Sequence, residues 1–185
     1  MESESTRFTE LFHRTYPALC RFLCGLLHDA GTAQDLAQET FLRLHRAGLD
    51  CLEPGQERYW VFRVARNLAL NELEKARNRS RLLDLLPWLQ SRGNPTPEDE
   101  MRGRQSRAIL SRLIEQLPAD QRTALLLREQ AELSYREIAR VMDVSESKVK
   151  VDIFRARNTL RQRWVAVQET SSSIRTDKAQ SGRSG

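Results

Sequence analysis

Apolar residues in the first third of the chain recur at three- and four-residue steps. Phe8, Leu11, Phe12, Leu19, Phe22, Leu23, Leu26 and Leu27 form the stripe of one amphipathic helix, which Pro17 is expected to kink or split. Thr32 and Asp35 read as a variant capping box opening a second helix that reaches about Ala47. Ala33, Leu36, Ala37, Thr40, Phe41 and Leu44 would face inward, leaving Asp35, Gln38, Glu39 and Leu42 outside. The pair Pro54-Gly55 marks a loop over 48–56. From Glu57 a third helix sets Trp60, Val61, Val64, Ala65 and Leu68 on one side and Arg63, Asn67 and Asn71 on another, ending in a basic run over 75–81.

The pattern breaks between about 82 and 103, where Pro87, Gly93-Asn94-Pro95-Thr96-Pro97 and Glu98-Asp99-Glu100 predict a tether. Helical periodicity resumes near Arg104 with Ile109, Leu110, Leu113, Ile114 and Leu117, is closed by Pro118, and restarts over 119–132 around Ala124, Leu125 and Leu127. Ser134-Tyr135-Arg136-Glu137 is a capping box for a short helix with Ile138, Ala139 and Val141 inward. Met142-Asp143-Val144-Ser145 then forms a turn, and Ser145 caps a longer helix whose inner stripe is Val149, Ile153, Ala156 and Leu160. This is the pattern of a helix-turn-helix: Ala139 lets two helices cross closely, Val144 fills the turn, and Asp143 tolerates a left-handed backbone. The segment from Thr170 to Gly185 is Ser-rich and nearly without apolar residues, which predicts disorder.

With 185 residues the chain has room for one domain or two small ones, and not for an (α/β)₈ barrel of roughly 200 to 250 residues. No apolar run approaches the roughly 18 residues of a spanning helix, and the polar start lacks the order of a secretory signal, so a cytoplasmic location is expected. The net charge of +5 is unevenly placed. Residues 53–82 carry seven basic against four acidic groups and residues 143–165 six against three, whereas residues 83–101 carry one against four. Two basic blocks around an acidic middle suit an anionic partner.

Chemistry of other kinds finds little support. Cys20, Cys24 and Cys51 make no even framework, and no Cys or His cluster joins them, so neither disulfides, nor a metal, nor any cofactor is expected. No phosphate-binding glycine loop, Gly-x-Ser-x-Gly or His-Glu-x-x-His occurs, so no catalytic residues are assigned. On the second helix of the helix-turn-helix, Ser147, Lys148, Lys150, Val151, Phe154 and Arg155 are exposed near the N-terminus, where such helices meet base edges in a major groove. Lys and Arg suit phosphates or guanine edges, and Phe154 a thymine methyl, while Asp152 opposes phosphate contact locally.

Four segments together resemble a bacterial RNA polymerase sigma factor of the extracytoplasmic-function (ECF) group in the sigma-70 family. They are residues 35–44 (DLAQETFLRL), 59–71 (YWVFRVARNLALN), 117–122 (LPADQR) and 133–139 (LSYREIA), in order within a span of about 8–164. The resemblance implies an all-α chain of two small helical domains. These are a region 2 bundle of three or four helices over 6–82 and a region 4 helix-turn-helix over 104–165, with a flexible linker at 83–103 and a disordered tail at 166–185.

It also implies roles. Asp35, Gln38, Glu39 and Leu42 match the helix placed on the β′ clamp helices of core polymerase, and region 4 implies contact with the β flap. Asn67 matches a position holding a flipped base of the minus-ten element; an amide both donates and accepts at a base edge. Asn71 lies one turn on, and the loop 51–56 matches the rest of that base pocket. Trp60 is either a stacking platform for single-stranded DNA or core. Arg63, Arg66, Lys75, Arg77, Arg79 and Arg81 would draw the strand by charge. Ser147, Lys148, Lys150, Phe154 and Arg155 match positions reading the minus-thirty-five element.

This chain departs from the common Gly-Thr-Val-Lys-Ser-Arg pattern with Ser-Lys-Val-Lys-Val-Asp over 147–152, and Glu74 stands where a basic residue is frequent. The partners implied are core RNA polymerase, promoter DNA and an anti-sigma protein, without membrane insertion. A helix-turn-helix regulator acting without polymerase is the alternative, and would predict tight duplex binding by a symmetric dimer.

Overall fold

The computed structural model describes residues 2–53, 55–84 and 101–181, with side chains described over 5–50, 52–53, 55–78 and 108–168. Its elements are α1 (Glu2–Leu27), α2 (Ala30–Ala47), a 3₁₀ turn (Leu49–Cys51), α3 (Glu57–Asp84), α4 (Met101–Glu115), α5 (Ala119–Glu129), α6 (Tyr135–Met142) and α7 (Glu146–Ser181). The described residues contain helices and no strands. Most of the expected tether, residues 85–100, lies outside them.

Helices α1, α2 and α3 pack mutually around Leu19, Phe22, Leu23, Leu26, Ala37, Phe41, Leu44, Val61, Phe62 and Ala65. Aromatic rings seal one end: Phe12 stacks on Tyr16 at 4.7 Å and meets Phe41 edge-on at 4.9 Å. Two local expectations are corrected. Pro17 does not split α1, which runs unbroken through it; Thr15, Leu19, Phe22 and Leu23, all buried, anchor the helix on both sides of the missing N–H. The cap of α2 is Asp29, whose carboxylate accepts from the Thr32 N–H at 2.6 Å, so Thr32 lies inside the helix. An ionised carboxylate at the positive end of the helix outcompetes a hydroxyl three residues later.

The second half is built as its pattern predicts. Ser134 and Glu137 form a reciprocal capping box on α6, Asp143 adopts the left-handed conformation at φ 57°, and the Ser145 hydroxyl accepts from the Lys148 N–H at 3.2 Å. Val149, Ile153 and Ala156 are buried against α5 and α6, and Leu160 partly so. Helix α7 continues to Ser181, beyond the point at 166 where disorder is expected. Nothing between 146 and 181 is Gly or Pro, so the packed N-terminal part propagates onward.

The two halves do not keep separate cores. One continuous buried cluster runs from Leu11 through Leu26, Val61 and Ala69 to Leu126, Leu133, Ile138 and Ile153. Helix α5 touches α1, and α6 touches α3. Leu126 packs over Gly25, where a Cβ would stand 2.8 Å from Leu126 Cδ2 and turn the leucine end aside. Helix α5 is consequently buried over six successive residues, Arg122 to Leu127, wider than any one-sided stripe.

Candidate functional site

Helix α2 buries Ala33, Ala37, Thr40, Phe41 and Leu44 and so turns Asp35, Gln38 and Leu42 to solvent, with Glu39 half-buried. Glu39 is held by Arg43 Nε at 2.7 Å. Leu42, 49% exposed, lines an open groove of about 710 Å³ together with Gln38, Phe8, Phe12, Phe41 and Leu49. An apolar floor beside acid and amide side chains fits an amphipathic partner, with the apolar centre supplying affinity and the polar rim orientation.

On α3, Asn67, Asn71 and Arg63 are exposed, while Trp60 is half-buried against the core cluster, closer to the packing role than to an open platform. Arg63 Nη1 donates to the Tyr59 hydroxyl at 2.6 Å, one turn back. Arg66 has turned toward the other half. Its Nε is buried without a hydrogen-bond partner, and burial pushes its pKa down against the opposing pull of Asp120 and Asp143. Next to it the loop before α3 meets α6: Arg140 Nη2 donates to Gln56 Oε1, and its guanidinium lies 4.7 Å from the Tyr59 ring centre. Arg58 Nη2 donates to the Ala131 carbonyl, and Arg21 Nη2 to that of Gln130 at 3.4 Å. The side chains of Arg79 and Arg81 lie outside the described set.

At the start of α7, Ser147, Lys148, Lys150, Phe154 and Arg155 are all exposed, Phe154 at 71%. Asp152 is not on that face. Only 6% exposed, it accepts from Lys148 Nζ at 2.6 Å, and Asp120 takes the same ammonium at 2.9 Å. These two bonds push the Lys148 pKa up. Lys150 pairs with Glu146 at 3.0 Å.

Residues 11–79 match the family described as Sigma-70 region 2, and residues 107–160 that described as Sigma-70, region 4. The RNA polymerase sigma-H factor of Pseudomonas aeruginosa is 34% identical over 80% of this chain and 79% of its own length. The ECF RNA polymerase sigma-E factor of Salmonella typhimurium is 36% identical over 71% of this chain and 73% of its own. The chain belongs to the ECF sigma factors of the sigma-70 family. Two solved structures share the fold of this sigma factor. RpoE in complex with the anti-sigma factor NepR, from Bartonella quintana, has a TM-score of 0.64 at 24% identity, over 84% of this chain and 95% of that one. CnrH in complex with the cytosolic domain of CnrY has a TM-score of 0.65 at 22% identity, over 88% and 90%.

As a sigma factor the chain binds core RNA polymerase and directs initiation at promoter DNA. The residues singled out in sequence fall on three faces: α2, α3 and the start of α7. Gln56 was expected only as the end of the base-pocket loop, and Arg58, Tyr59 and Arg140, which with it join the halves, carried no assigned role in the sequence reading. Tyr59 and Arg63 stand at i,i+4, which hints at their pairing, whereas Gln56 and Arg140 are 84 positions apart and carry no local signal. Among the described residues no group of three or more His, Cys, Asp or Glu could hold a metal. Burial pushes the Cys20 thiol up, away from a reactive thiolate.

Proposed function

We propose that this sigma factor divides its work among those three faces. Asp35, Gln38, Glu39 and Leu42 hold the β′ clamp helices. Asn67 and Asn71, with Arg63 and Arg66, receive the melted minus-ten strand, Trp60 backing them. Ser147, Lys148, Lys150, Phe154 and Arg155 meet the minus-thirty-five duplex, with α4 to α7 on the β flap. The chain supplies binding energy and no covalent chemistry: capture of a flipped base offsets an unstacking cost of a few kcal/mol. It works in the cytoplasm beside the polymerase; no described helix is long and apolar enough to cross a membrane. The groove at Leu42 also suits an amphipathic helix of an anti-sigma protein, which would compete directly with the clamp. Domain limits of 6–82 and 104–165 fit this division.

The observation that carries the proposal is the exposed Leu42 lining an apolar groove with Gln38, on the helix face that also carries Asp35 and Glu39 and whose other side is packed. Because Gln56 is held by Arg140 of α6, strand capture at that loop requires the halves to part. Capture of purified core polymerase on the immobilised chain tests the α2 assignment. Leu42→Arg and the pair Asp35→Ala, Gln38→Ala are each expected to weaken capture at least tenfold with unchanged melting. Wild-type capture by both variants would remove α2 from the interface.

A further inference from the structure

Lys148 is exposed but not free. Its ammonium bridges two carboxylates, Asp152 Oδ2 at 2.6 Å one turn further along α7 and Asp120 Oδ2 at 2.9 Å in the first turn of α5. The two acids differ in setting. The Asp120 side chain is 53% exposed, whereas that of Asp152 is 8% exposed, and among the described residues Lys148 is the only cation paired with Asp152. Drawing the lysine out to a DNA phosphate therefore strands a buried carboxylate without its partner, a larger loss than breaking a surface pair. Arg155, exposed one turn beyond Asp152, has no ion pair among the described residues and meets a phosphate without any such exchange.

We propose that Asp120 and Asp152 are positioning residues that hold Lys148 back from the duplex and so suppress binding to non-promoter DNA. The inference rests on the start of α7 meeting duplex DNA, and adds a role for two acids outside that contact face. Phosphates are the same on every sequence, so a lysine free to bind them tightens all duplexes alike. A lysine that must first leave two carboxylates contributes little on random DNA. It is given up only to a phosphate that the remaining contacts hold in place, so the acids weaken non-specific binding more than promoter binding.

The test measures binding of the full chain to two labelled duplexes over a range of salt. One has random sequence; the other is a promoter enriched by holoenzyme from a library randomised over both elements. Asp120→Asn with Asp152→Asn is expected to tighten the random duplex about fivefold. The slope of log affinity against log salt should steepen by about 0.9, as for one added phosphate contact, and the promoter duplex should gain less. Lys148→Ala should cost more in that double variant than in the wild-type chain, whereas Arg155→Ala should cost the same in both. Asp120→Asn alone, an exposed change, should give a smaller gain of the same kind and carries the test if Asp152→Asn lowers the melting point. An unchanged salt slope, a gain that survives Lys148→Ala, or equal gains on the two duplexes would each overturn the inference while leaving the face at α7 standing. If neither Lys148→Ala nor Arg155→Ala weakened any duplex in either background, that face would leave the DNA and the inference would fall with it.

Discussion

Glu137 shows how one side chain closes a local structure and answers to pH. Burial pushes its carboxyl up, but the Ser134 hydroxyl and backbone N–H and the nearby Arg58 and Arg140 more than offset that, so its pKa falls below 4.5. A carboxylate lowered in the folded state stabilises the fold above its unfolded value and loses that contribution as pH drops through the folded one. Unfolding followed from pH 6 to 3 is therefore expected to show a loss of stability below about 4.5, flattened in Glu137→Gln. An equally steep profile in the variant would assign the acid sensitivity elsewhere. The capping box was legible because Ser-x-x-Glu is a local code. The partners of Lys148 were half legible: Asp152 stands at i,i+4, but Asp120 is distant in sequence and only the fold brings it near.

At the scale of elements, four of the described helices are bounded by a signal written in the chain: Asp29 and Gly48 bound α2, Pro118 opens α5, Ser134 and Asp143 bound α6, and Ser145 caps α7. Choosing between neighbouring signals is harder. Thr32 with Asp35 resembles a capping box, and Asp29 prevails because its carboxylate reaches the Thr32 N–H directly. Asp29→Ala should consequently lower the thermal midpoint, and Thr32→Ala should lower it less; the reverse order would restore Thr32 as the cap. The expected split at Pro17 and the expected end of α7 failed for a shared reason. Breakers and polar composition act locally, whereas packing on either side of Pro17, and propagation from the packed part of α7, are decided by neighbours.

Across the whole molecule, periodicity identified two helical groups but not their contact. Helix α5 reads as a one-sided stripe, yet Leu126 on its other side packs at Gly25 of α1. The stripe describes what one domain buries, and the second burial comes from a partner half that no local pattern can announce. The same contact sets Arg140 on Gln56 and Tyr59. If strand capture needs these released, bridging residues 56 and 140 should block it. In a chain with Cys20, Cys24 and Cys51 replaced by Ser, cysteines at 56 and 140 joined by a cleavable bismaleimide are expected to abolish promoter opening, read by permanganate reactivity. Cleaving the linker should restore it, and opening by the bridged chain would show that the closed arrangement itself initiates.

The account stands on one chain directing polymerase to start sites through separate faces. Run-off transcription by purified core polymerase on a template carrying an enriched promoter tests it most directly. Discrete transcripts are expected with the wild-type chain, falling at least tenfold with Leu42→Arg and with Asn67→Ala for different reasons. The first variant should lose polymerase and the second should bind it without opening DNA. A start pattern the same with and without the chain would contradict the account.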